Sequence, residues 1–162
     1  MEQLAWLPVH SDFKAALKQA RLEADPAPRL SRLLDLAGYR RDFLATEKLD
    51  RTVSDCLRQL EPTALDGLQL RRARLAILSS HTVDHLVPGI RIASLGRGIG
   101  LSLHVAGYGL YRQILMESDP ELSAFAPQFL LLALDEHEIQ SGLPLQAPQT
   151  EITDSVTRQG ES

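Results

Sequence analysis

Two short segments of this 162-residue chain hold the residue types that hydrolytic chemistry requires. Ser79 and Ser80 directly follow one short apolar run, and Asp135 and His137 follow another. A serine hydroxyl, an imidazole and a carboxylate together make the acid–base relay of nucleophilic hydrolysis. Backbone N–H groups at a strand-to-helix turn could also stabilise an oxyanion. If the chain is an enzyme, we therefore expect an esterase or thioesterase that uses Ser80, assisted by His81 or His137 and oriented by Asp135.

A structural role for these serines is the simpler interpretation. A serine at the start of a helix caps the helix far more often than it attacks a substrate. The Gly-x-Ser-x-Gly elbow of the α/β-hydrolases is also absent from the sequence. We therefore expect no catalytic residue in this chain. Because ligands of parallel sheets bind beyond the carboxyl ends of the strands, Ser79, Gly107 and Tyr108 are the expected binding residues.

Metal and phosphate motifs are weak in this sequence. His81 and His85 have the i, i+4 spacing of a helical metal site, but the zincin motif needs a glutamate directly after the first histidine. Asp135, Glu136 and Glu138 are expected to form a solvated acidic loop, and the segment 96–100 is glycine-rich but precedes a strand rather than a helix. We expect no metal site and no cofactor, with His81 and His85 as the weak metal candidates.

Three apolar runs predict the strands that position these residues. They cover residues 75–78, 101–105 and 129–134, and segments with helical periodicity separate them. This alternation predicts an α/β fold with a parallel sheet and right-handed crossovers. Sheets usually have about five or six strands, so a sheet of three is expected to be incomplete.

Helical spacing of apolar residues predicts three amphipathic helices before these strands. Pro26 and Pro28 are expected to end the first of them, and Cys56 lies on the apolar stripe of the third, as a core residue. Further along, Pro88 is expected to kink a helix that starts near Val83 and is capped by Ser80 or Thr82. The predicted organisation is a helical extension over 1–74, a parallel α/β core over 75–139 and a loop or disordered tail over 140–162.

Composition and charge exclude several classes of protein. One cysteine cannot form an intramolecular disulfide, and no apolar run approaches the roughly 18 residues of a membrane span. The first residues lack the pattern of a signal peptide, so we expect a cytoplasmic protein with no membrane partner. The net charge is −4, and the one tight basic cluster, Arg71, Arg72 and Arg74, is expected to be a solvated lead-in to a strand. A nucleic-acid partner is not expected.

The stretch from Leu75 to Glu138, LAILSSHTVDHLVPGIRIASLGRGIGLSLHVAGYGLYRQILMESDPELSAFAPQFLLLALDEHE, resembles the N-terminal domain of FkbH-like proteins. Leu7-Pro8 and the segment DFLATEKLDR (42–51) resemble the helical lead-in of that family. The family joins an SGNH-hydrolase-like domain to a haloacid-dehalogenase (HAD) domain. The resemblance therefore implies a three-layer arrangement of the SGNH or flavodoxin-like type. The resemblance implies a role in polyketide-type biosynthesis, in which a glyceryl unit from 1,3-bisphosphoglycerate is loaded onto an acyl carrier protein.

The sequence departs from the SGNH pattern where catalysis would occur. His81 occupies the position of the serine nucleophile, the Gly-x-Asn-Asp block lacks its asparagine near Asp135, and the Asp-x-x-His block has no counterpart. The HAD domain is absent from this sequence. The resemblance therefore implies a non-catalytic domain whose partner is an acyl carrier protein or a HAD domain. The apolar third strand is a further expected interface, for a second copy of the chain, because an open sheet edge has unpaired backbone groups.

Overall fold

The structure, a computed structural model, describes residues 7–60, 70–117 and 119–135. Its helices are α1 (Phe13–Leu22), α2 (Pro26–Ala37), α3 (Phe43–Gln59), α4 (Val87–Leu95), α5 (Tyr111–Met116) and α6 (Pro120–Phe125). Its strands are β1 (Arg71–Ser79), β2 (Ile99–Val105) and β3 (Phe129–Ala133), and a 3₁₀ turn covers Asp84–Leu86.

Aspartate caps determine where the first three helices begin. The side chain of Asp12 accepts a hydrogen bond from the backbone N–H of Ala15 in α1, at 2.9 Å. Asp25 caps α2 in the same way, and Asp42 caps α3 through Ala45 N–H at 2.7 Å. These bonds satisfy N–H groups that the first helical turn leaves without a partner. Each of these three helices therefore begins directly after its aspartate cap.

Two prolines have a different role from the one predicted. Pro26 does not end the first helix but is the first residue of α2, and Pro88 does not kink a helix but lies in the first turn of α4. A proline fits this position because the N–H that it lacks would have no partner there. The residue before α4 is Leu86, without a side-chain cap, so the predicted capping by Ser80 or Thr82 is wrong.

The contacts divide the chain into two compact units. One comprises Met1–Leu75 and Asp84–Leu103, and the other comprises Ala76–Val83 and His104–Ser162. In the first unit, α1 to α4 surround a core that includes Cys56, which is fully buried as the helical stripe predicts. The first unit also contains α4, which the predicted organisation assigns to the α/β core over 75–139.

The strands form one parallel sheet in the order β2-β1-β3, as the alternation of strands and helices predicts. Ala106 N–H donates to Ile77 O at 3.0 Å, and Ser80 N–H donates to Ala133 O at 3.1 Å. β1 begins at Arg71, so the basic cluster is part of the strand and not a lead-in to it. Within the described ranges, no helix is long and apolar enough to cross a bilayer.

Candidate functional site

Residues at the carboxyl ends of the three strands meet within the second unit. Hydrogen bonds connect the end of β1 to the turn after β2 and to the residue that follows β3. We call this set the strand-end cluster; its members are Ser79, Ser80, Gly107, Gly109 and Asp135. Parallel strands with consecutive helical connections place these ends at one edge of a sheet. The sequence therefore predicted which segments lie together here.

Ser80 joins the end of β1 to the end of β3. Its Oγ accepts a hydrogen bond from the backbone N–H of Asp135 at 2.9 Å, and its own N–H donates to Ala133 O. The residue is buried, with only 8% of its surface exposed. Among the described residues, the Ser80 hydroxyl makes no hydrogen bond to an imidazole or a carboxylate. The side chain thus acts as a structural link between two strand ends.

The turn after β2 contacts Ser79 through backbone groups. Gly109 N–H donates to Ser79 O at 3.3 Å, and Leu110 N–H donates to Gly107 O at 3.2 Å. Gly109 has φ +72°, a left-handed conformation that glycine adopts without steric cost. The Ser79 side chain is buried, whereas Tyr108 is largely exposed at the outside of the turn. Of the three expected binding residues, only Tyr108 therefore presents a side chain to solvent.

The two histidine candidates do not share one helical turn. Residues 81–83 are not helical, and His85 lies in the 3₁₀ turn that precedes α4. Helical i, i+4 geometry therefore does not apply to this pair. The Nδ1 atom of His81 is buried and has no hydrogen-bond partner in the described part of the chain. In those same residues, no group of three or more His, Cys, Asp or Glu could hold a metal ion.

Some predicted site residues lie outside the described residues. These are Glu136, His137 and Glu138, together with the predicted tail over 140–162. Asp135 is described, and its backbone N–H is the group that contacts Ser80. The relay proposed for an esterase is therefore represented in the structure by Ser80, His81 and Asp135, without His137.

A partly buried ion pair in the first unit was not predicted from the sequence. Arg91 Nη1 donates to both carboxylate oxygens of Asp50, at 2.9 and 2.7 Å, and lies 3.4 Å from Ser54 Oγ. Burial raises the pKa of the Asp50 carboxyl, although the Arg91 guanidinium acts to lower it. One signal was available: Asp50 is a charged residue directly beside the apolar stripe of α3 that contains Leu49 and Val53.

Comparisons of the chain with protein-family models, curated proteins and solved structures found no match.

Proposed function

We propose that this chain is a non-catalytic SGNH-like domain that supports an FkbH-type reaction. In that reaction a glyceryl unit from 1,3-bisphosphoglycerate is loaded onto an acyl carrier protein, and a HAD domain carries out the chemistry. The observation that carries the proposal is the hydrogen bond from Asp135 N–H to Ser80 Oγ. It gives the candidate nucleophile Ser80 a structural role instead.

Ser80 does not meet the requirements of a serine nucleophile in the described part of the chain. A nucleophile must reach the substrate and must donate its proton to a nearby base. Ser80 is buried, and no imidazole or carboxylate within the described ranges accepts its proton. Ser79 is even less exposed, at 2%. The parallel α/β sheet is compatible with an SGNH-like fold, and the resemblance over residues 75–138 supplies the biosynthetic context of the proposal.

Addition of the purified chain to a reconstituted loading reaction tests the proposal. The reaction contains an FkbH-type HAD domain, an acyl carrier protein and 1,3-bisphosphoglycerate, and mass spectrometry follows the glyceryl-carrier product. We expect the chain to increase the loading rate. Ser80→Ala should support loading as well as the wild type does, although the loss of a buried hydrogen bond destabilises it by about 1–3 kcal/mol. No effect of the wild-type chain on the loading rate would refute the proposal.

β3 is the proposed contact with a second copy of the chain. Phe129, Leu130, Leu131 and Leu132 are between 39% and 62% exposed, and β3 pairs with β1 alone among the described strands. The strand contains no charged residue and no proline, the features by which proteins protect an open edge. Its partner must be apolar on both faces, and β3 of another copy meets that requirement.

The second candidate function is a divergent esterase or thioesterase that uses Ser80. The meeting of Ser80 and Asp135 at the strand-end cluster favours it, because both belong to the relay that the sequence indicates. Turnover of a short-chain p-nitrophenyl ester or of an acyl-carrier thioester tests this function. Activity that Ser80→Ala abolishes, with an unchanged circular dichroism spectrum, would establish the enzyme and exclude the non-catalytic domain.

A further inference from the structure

An apolar pocket with charged groups lies within the first unit. Its volume is about 260 Å³, and side chains from three helices form its walls: Leu30, Leu34, Leu57 and Leu95. The pairs Leu30 and Leu34 on α2, and Arg91 and Leu95 on α4, have i, i+4 spacing, so each helix presents one face to the pocket. Strand residues complete the lining, among them Arg72 and Gly100. The pocket is thus a concave apolar space with two guanidinium groups in its lining.

The ion pair with Asp50 fixes the orientation of Arg91 in this lining. All hydrogen bonds of Arg91 to described residues use Nη1: two to Asp50 and one, longer, to Ser54. The Nε and Nη2 donors therefore have no partner among those residues. A guanidinium that is held on one side by a carboxylate loses less rotational freedom when a second carboxylate binds on its other side.

From this arrangement we propose a binding site for a medium-chain carboxylate, with the head group on Arg91 and the hydrocarbon chain among the leucines. The planar guanidinium of an arginine binds a carboxylate through two parallel hydrogen bonds. The leucine walls exclude a wholly polar anion, because such an anion would lose its hydration without compensation. The combination selects an amphipathic ligand with one anionic end.

The volume of the pocket sets the length of this ligand. A cavity of about 150 Å³ holds benzene, which has six heavy atoms, so 260 Å³ provides space for about ten. A saturated carboxylate of eight carbons has that number of heavy atoms. Octanoate is therefore the expected optimum, whereas the chain of butyrate is too short to fill the space between the leucines.

NMR titration of the ¹⁵N-labelled chain with octanoate tests the site. Octan-1-ol is the matched probe without charge, and butyrate is the matched probe without the longer chain. We expect saturable shifts at Leu95, Gly100 and Arg91, and an affinity for octanoate at least about tenfold higher than for either control probe. Equal affinities for octanoate and octan-1-ol, shifts confined to residues outside the pocket, or no shifts up to about 5 mM octanoate would overturn the proposal.

Two variants separate the contribution of the head group from that of the chain. Arg91→Lys keeps the charge and removes the planar fork, and we expect it to weaken octanoate binding about tenfold.

Gly100→Ala adds a methyl group that makes ordinary contacts of 3.5 and 3.6 Å with Leu70, so the fold accommodates it while the pocket becomes smaller. It should weaken octanoate more than hexanoate. Gly89→Ala, outside this pocket and with open space at its Cβ, is the control. Unchanged octanoate affinity in both pocket variants would refute the site.

Discussion

Cys56 shows how burial determines the chemistry of a single residue. Its Sγ lies 3.0 Å from Pro26 O, to which the thiol donates, and the side chain is fully buried. Burial raises the pKa of the thiol, and only the thiolate is an effective nucleophile. The prediction of a core cysteine rather than a catalytic one therefore agrees with its surroundings.

We predict that Cys56 reacts with an aromatic disulfide reagent only when the chain unfolds. Absorbance of the released thiolate, followed at increasing urea concentrations, should give a rate that rises with the unfolded fraction. Cys56→Ala supplies the blank for the same measurement. Rapid stoichiometric reaction in buffer without urea would contradict the burial described for this residue.

The raised pKa of Asp50 predicts how the stability of the fold depends on pH. Burial raises the pKa of its carboxyl, so the folded chain binds this proton more tightly than the unfolded chain, whose value is about 3.9. The stabilisation from this bound proton is therefore fully present below a pH of about 3.9, the pKa in the unfolded chain. It is lost as the pH rises through the raised pKa of the folded chain. Asp50→Asn removes this dependence but adds a constant cost, because Arg91 loses its anionic partner.

Urea unfolding of wild type and Asp50→Asn from pH 3.5 to pH 7 measures this dependence. The free energy of unfolding of the variant, relative to the wild type, should increase as the pH rises through the window and then level off. A relative free energy that decreases with pH would show that the ion pair with Arg91, not burial, controls the pKa of Asp50.

At the scale of elements, apolar runs proved to be a sound guide to the strands and prolines a poor guide to the helices. β1 was predictable because residues 76–79 are buried on both faces of the sheet, which requires a continuous apolar run. The apolar run of β3 also predicted a strand, but its residues are largely exposed. Proline marks a helix boundary without showing which side of it is helical. Both Pro26 and Pro120 follow an aspartate cap and begin a helix, and α6 was not predicted for this reason.

Gly89 lies within α4 and Gly96 directly follows it, and alanine at these two positions gives a matched pair of variants. A Cβ at Gly96 would lie 2.6 Å from Ala37 O, a backbone atom that cannot move independently, whereas a Cβ at Gly89 meets nothing within 4 Å. Gly96→Ala should therefore lower the free energy of unfolding by about 1–3 kcal/mol. Gly89→Ala should raise it by about 0.5–1 kcal/mol, because alanine favours the helix. Urea unfolding curves measure both, and equal effects of the two substitutions would contradict the close contact between α2 and Gly96.

At the scale of the whole molecule, the exposed β3 edge predicts self-association. Light scattering behind size-exclusion chromatography should show a dimer whose fraction increases with concentration. Leu131→Lys places a charge at the centre of the edge and should shift the protein to monomer, since an inward charge blocks edge pairing. Leu22→Lys changes another exposed leucine, on α1, and is the control. A wild-type monomer at high concentration would refute the pairing of β3 with a second copy.

The candidate site was predictable in position but not in function. The sequence indicates that Ser80 and Asp135 follow parallel strands, and so that they lie at one edge of the sheet. The hydrogen bond between them joins residues 55 positions apart and depends on the register of β3 against β1, which apolar runs do not determine. The same serine could therefore be assigned as a cap or as a nucleophile from its sequence, and only the observed bond shows it as a link between strands.

The proposal that the strand-end cluster is non-catalytic is most directly tested by covalent trapping. The native chain is incubated with a fluorophosphonate, which phosphonylates activated serines, and the intact mass is measured. Because Ser80 is buried, bonded to Asp135 N–H and without a base among the described residues, we predict an unchanged mass. A single adduct that maps to Ser79 and that Ser79→Ala removes, or that maps to Ser80 and that Ser80→Ala removes, would contradict the proposed function.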